Sequence, residues 1–82
     1  MKEFTQTDID RIEELVDNHD EVQIREILAE LHPADIAEVI RVLSLKQAEW
    51  LFNLIDDKEQ KADVLMELDE EDRKKLLEGM DS

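Results

Sequence analysis

The stretch Val39-Ile40-Arg41-Val42-Leu43 sets two adjacent apolar residues three positions ahead of a third, and this spacing recurs along the chain. Upstream it returns as Ile27, Leu28 and Leu31. Downstream it returns as Leu51, Phe52 and Ile55, as Val64, Leu65 and Leu68, and as Leu76, Leu77 and Met80. Each copy opens a dozen positions after the one before it, except that the step from Leu51 to Val64 takes one more. An i, i+1, i+4 set shares one face of a helix but splits between the two faces of a strand, so each copy predicts the buried stripe of a short helix. A sixth copy, Leu15 and Val16 with His19 in the third place, stands one dozen-position step ahead of Ile27. The beat therefore predicts six helices.

Between the copies lie start and stop signals. Thr7 predicts the cap of a first helix, Asp8 to about Asn18, with Ile9, Ile12, Leu15 and Val16 on its apolar face. Asp20 with Gln23 three positions on fits a capping box and opens a second helix predicted to bury Val22, Ile24, Ile27, Leu28 and Leu31. At Leu31-His32-Pro33-Ala34-Asp35 the proline disfavours helix at His32 and suits the first position of a third helix, Pro33 to Leu43. Ser44 with Gln47 starts the fourth helix. The pair Asp56-Asp57 offers two overlapping boxes, with Glu59 and Gln60, and is where the one longer spacing is expected to be absorbed. Asp69 caps the sixth, which runs to about Gly79. Helices of only about 10 residues are too short to stand alone in water, so their stability must come from stacking. Very short connections fold them into hairpins, and a two-helix repeat spanning two beats then stacks as a small solenoid.

Composition excludes several functions. Of 82 residues, 41% are hydrophobic and 41% charged; 24 acidic against 10 basic side chains give a net charge of -14 at neutral pH. Such a surface repels phosphate backbones and anionic lipid heads, which argues against nucleic-acid binding and direct membrane insertion. The acids are spread, ten against three bases in residues 1–31 and fourteen against seven in residues 32–82, so no acidic tail separates from a neutral body. There is no cysteine, hence neither a disulfide framework nor a thiolate metal site. No nucleophile stands beside a base and no Gly-rich phosphate loop occurs, which argues against an enzyme. The run Asp69-Glu70-Glu71-Asp72 lacks metal-ligand spacing and reads as a solvated first helical turn. His32 reads as a helix-start residue, packed or capping, and His19 as structural. Trp50 reads as packing against a neighbouring helix.

The run Leu28 to Ile40, with Leu31-His32-Pro33-Ala34-Asp35 at its centre, followed by Leu43 and by Ala62-Asp63-Val64-Leu65-Met66-Glu67-Leu68, resembles the cytosolic N-terminal domain of MgtE magnesium transporters. The resemblance covers roughly residues 20 to 80. It implies an all-α, right-handed superhelix of short antiparallel helical hairpins, about six helices, occupying residues 7–82 behind a flexible terminus of residues 1–6. Since a solenoid normally ends in a polar cap and this chain ends just after an apolar stripe, the chain is expected to be a C-terminally truncated piece of a longer domain. The resemblance also implies partners in the same parent protein: CBS domains and a transmembrane pore, assembled as a homodimer with this domain at the cytoplasmic face of the membrane. Mg2+ held weakly between N and CBS domains would keep the assembly closed, and Asp63 stands where the family carries an acidic ligand. The alternative expectation is a protein-interaction module akin to the helical repeats of flagellar rotor switch proteins.

Overall fold

The computed structural model describes residues 4–80, and these form six α-helices with no strand among them: α1 (Gln6–Asp17), α2 (Glu21–Glu30), α3 (Pro33–Val42), α4 (Leu45–Asn53), α5 (Lys58–Glu67) and α6 (Glu70–Met80). The all-α reading holds. Helix α1 begins earlier than predicted, because the cap is Thr5 and not Thr7. The Thr5 amide donates to Asp8 Oδ2 at 3.0 Å, and its hydroxyl donates to the same oxygen at 3.3 Å. Thr5 and Gln6 are thus the cap and first residue of α1, and Phe4 packs on the core; the rest of the expected N-terminal segment lies outside the described residues.

Three of the connections are built alike. Leu31, Leu43 and Leu68 follow α2, α3 and α5 in extended conformation, at φ/ψ of -83/149, -83/156 and -78/150. Each amide still donates back to the helix it closes, as Leu43 does to Val39 O at 3.2 Å. These leucines are the third apolar member of their repeat copies. They sit one step beyond the helix and not on it. The residues that follow, His32, Ser44 and Asp69, lead directly into the next helix. Ser44 closes a capping box with Gln47, as predicted: its hydroxyl accepts from the Gln47 amide at 3.2 Å and its amide donates to Gln47 Oε1 at 3.3 Å. The longer spacing is absorbed between α4 and α5, where Leu54 and Ile55 turn inward and are buried.

The α1–α2 corner uses other chemistry. His19 has φ of +54°, Asp20 N–H donates to Leu15 O and His19 N–H to Val16 O, each at 3.0 Å. This is a Schellman closure, with histidine in the left-handed position that glycine usually occupies. It also explains why the Asp20–Gln23 box forms by halves. Asp20 Oδ1 accepts from the Gln23 amide at 3.3 Å, but the Asp20 amide is already committed to Leu15. The Gln23 side chain therefore donates to Asp20 Oδ2 at 3.0 Å.

Packing follows the repeat. Helix α3 packs most extensively on α5, and α4 on α6, so one hairpin lies on the next; α1 packs chiefly on α2, and more lightly on α3 and α4. A single continuous core runs through all six helices, with Ile24, Ile36, Leu51, Ile55, Val64 and Leu76 almost fully enclosed. The radius of gyration, 11.8 Å, is that of a globule of this length, so two or three stacked layers have no elongated shape of their own. Val22 departs from expectation and is 70% exposed. At about 100° per residue it lies some 200° round the helix from Ile24 and 240° from Leu28, on the face opposite the core. The last repeat copy is only partly covered: Leu76 is buried and Leu77 is 44% exposed, while the Met80 side chain lies outside the described residues. Helix α6 passes through Gly79 instead of ending there. A Cβ at Gly79 would meet only the end of the Glu49 side chain, which is free to swing aside.

Candidate functional site

Asp63 sits on α5, exposed to solvent, on the wall of an open groove of about 370 Å3. The groove lies between the end of α2, the start of α3 and the α4–α5 connection, over an apolar floor that includes Leu28, Pro33 and Ile55. Local sequence explains its acidity. Asp57 caps α5, its Oδ1 accepting from the Glu59 amide at 2.9 Å, and Glu59 occupies the first turn, where the helix dipole favours an anion. Asp63 follows Glu59 by four positions and so shares its face. Asp56, in the connection, adds a fourth carboxylate. Opposite them Arg25 is engaged by Glu21 at 3.0 Å. Asp56, Glu59 and Asp63 make no side-chain hydrogen bond or ion pair to any described residue.

This donor set suits a shared cation better than an enclosed one. Among the described residues no three carboxylate or histidine side chains converge closely enough to hold a metal ion. A Mg2+ ion needs no such cage, since it commonly keeps several waters and takes one or two carboxylates. The chain can offer those from the groove rim.

The histidines take no part. His32 precedes α3 as an exposed N-cap without a side-chain capping bond, so its predicted packing or capping ring is not found; the backbone and Pro33 start the helix. The exposed His19 sets its ring edge-on to Trp50, centroids 5.2 Å apart and planes at 81°. Trp50 is partly buried against the core, as predicted. Glu70, Glu71 and Asp72 form the first turn of α6.

Gln60 has a role that its local spacing does not announce. Instead of boxing Asp57, its Nε2 crosses to α2 and donates to Leu28 O at 2.8 Å and Leu31 O at 3.3 Å. That side chain closes the C-terminus of α2 and fixes one end of the groove floor. A capping offset of three positions cannot reveal a partner that lies three helices back along the chain. Arg41 and Arg73 serve α5 in the same manner, reaching Glu67 O at 3.4 Å and Leu65 O at 3.5 Å.

Compared with known families, residues 31–82 match the model of the MgtE intracellular N domain. The chain belongs to that family. No curated protein and no solved structure matches it. The matched span opens at the Leu31-His32-Pro33 junction, contains α3 to α6 and includes Asp63 and its acidic neighbours. Membership associates the chain with magnesium transport and with a transporter domain, which is not an enzyme class. No helix among the described residues is long and apolar enough to cross a membrane.

Proposed function

We propose that this chain is a regulatory domain of a magnesium transporter or channel, placed at the cytoplasmic face of the membrane, which senses intracellular Mg2+ and gates the pore by docking on CBS domains of the same parent protein. The observation that carries this reading is the family match over residues 31–82, within which Asp63 lies on an open, acid-lined groove. Mg2+ bound there supplies positive charge between two surfaces that are otherwise kept apart. Asp63, with Asp56 or Glu59 beside it, contributes carboxylate oxygens from this side, and the facing domain and water complete the shell. At a net charge of -14 the domain repels an acidic neighbour when the ion is scarce. Release then separates the domain from the CBS pair and frees the pore. The affinity is expected to be weak, because neither surface alone encloses the ion, and the parent protein is expected to work as a homodimer.

Titrating the parent transporter with Mg2+, and following protease protection of this domain, tests the proposal. Protection should rise with Mg2+, and Asp63→Ala should move the midpoint several-fold higher while Asp69→Ala does not. Protection independent of Mg2+ would remove the sensing role; equal midpoints for the wild type and Asp63→Ala would remove Asp63 from the site.

A further inference from the structure

A second groove, of about 260 Å3, opens where α1, the end of α2 and the start of α3 meet, and it shares no lining residue with the Asp63 groove. Its floor is apolar. Phe4, Ile27 and Leu31 lie there only partly covered, beside the buried Ile12. The rim brings one carboxylate from each of three helices, Asp8, Glu30 and Asp35, outnumbering the one arginine that lines it, Arg11.

Two of those acids are accounted for by folding. Asp8 accepts the Thr5 cap bonds, and Asp35 stands in the first turn of α3, where its charge is favoured. Glu30 is not. It is the last residue of α2, at the negative end of the helix dipole, in a helix with no basic residue in its last turn. Its side chain makes no hydrogen bond or ion pair to any described residue. Helix stability disfavours an anion at that position, and a cation arriving from outside would relieve it.

We propose that this groove docks an amphipathic helix of a partner protein, its apolar ridge seated on Phe4, Ile27 and Leu31 and flanking Lys or Arg side chains meeting Glu30 and Asp35. Apolar anchors at helical spacing with flanking charge are what such a groove reads. Charge selects among possible occupants: a second copy of a chain at -14 and an anionic lipid surface would both be repelled.

The probe is a synthetic helix of about 14 residues with Leu at i, i+3, i+4 and i+7 and Lys on its flanks, compared with a scrambled peptide of the same composition. Fluorescence anisotropy reads affinity, and amide shifts of the isotope-labelled 82-residue chain read location. The patterned peptide should bind at least roughly tenfold tighter than the scramble, which carries the same charge without the ridge. Shifts should gather at α1 and the α2–α3 junction. Glu30→Lys, an exposed change favoured by the helix dipole, should weaken binding by about fivefold or more, while Glu67→Lys, the same change at the exposed end of α5, leaves it unchanged. Equal binding of the two peptides, shifts spread over the whole acidic surface, or full affinity in Glu30→Lys would each overturn the proposal.

Discussion

Helices α3 to α6 stack hairpin on hairpin, whereas α1 and α2, which share the same core, are held in addition by particular side chains. In the regular part, α3 stacks on α5 and α4 on α6; the extended leucine closure of Leu43 and Leu68 recurs at Leu31, but the corner inside the leading pair turns on the left-handed His19 instead. The leading pair is tied on at three points by residues of α4 and α5. Gln47 Nε2 donates to Asp17 Oδ1 at 2.6 Å, Trp50 meets His19, and Gln60 closes α2. The regular repeats rest chiefly on apolar stacking, each layer presenting the next with a similar surface, and add only the longer contacts of Arg41 and Arg73 to carbonyls of α5. The irregular first pair shares that core, and the polar contacts that hold it suit one place only.

The largest expected effect asks whether this difference divides the molecule. Leu51 in α4 is fully enclosed, and Leu51→Ala should cost about 2–5 kcal/mol. That is a large part of the stability of a domain this small. Because one core runs from Ile9 to Leu76, loss of Leu51 should lower the urea midpoint of the whole chain in a single transition, read equally by circular dichroism and Trp50 fluorescence. Two separated transitions would mean that the leading pair folds as a lobe of its own.

Removal of one tie should be smaller and local. Gln60→Ala deprives Leu28 and Leu31 of a part-buried donor, at a cost of about 1–2 kcal/mol. Gln60→Met, which keeps most of the side-chain bulk, should lose a similar amount if the bonds matter more than the packing. Hydrogen exchange should quicken at the C-terminal turn of α2 and stay slow in α3 and α5. Equal quickening in all three would make Gln60 an ordinary packing residue.

The two regions were also unequally legible in the sequence. Six helices and their core follow from the apolar beat, since burial at helical spacing is a local property repeated five times over. Ser44 and Asp57 announced themselves as caps because their partners lie within three positions. Thr5 was hidden by Thr7, an equally good capper two places on, and only the Asp8 carboxylate decided between them. Val22 was misplaced because apolar character was weighed ahead of its angle around α2. Asp63 could be singled out by resemblance, but the groove that surrounds it could not. Its walls come from α2 and α5, which are distant in the chain, and its end is closed by Gln60, whose spacing from Asp57 suggested a different bond.

The smallest effect concerns the corner between the two helices of the leading pair. At φ of +54°, His19 carries a Cβ in a conformation that suits glycine, and this strain is worth about 1 kcal/mol. Its ring recovers about 0.5–1.5 kcal/mol through the edge-on contact with Trp50. His19→Gly removes strain and contact together, so its stability should stay within about 0.5 kcal/mol of the wild type. His19→Ala loses the contact and keeps the strain, and should fall below His19→Gly by about 1 kcal/mol in urea midpoint analysis. Trp50→Leu then separates the terms: with the ring's partner gone, His19→Gly should become stabilising. If His19→Gly and His19→Ala proved equal, the corner would be adopting a different backbone in solution, and the tie between the leading pair and α4 would have to rest on Gln47 and Asp17 without the help of the rings.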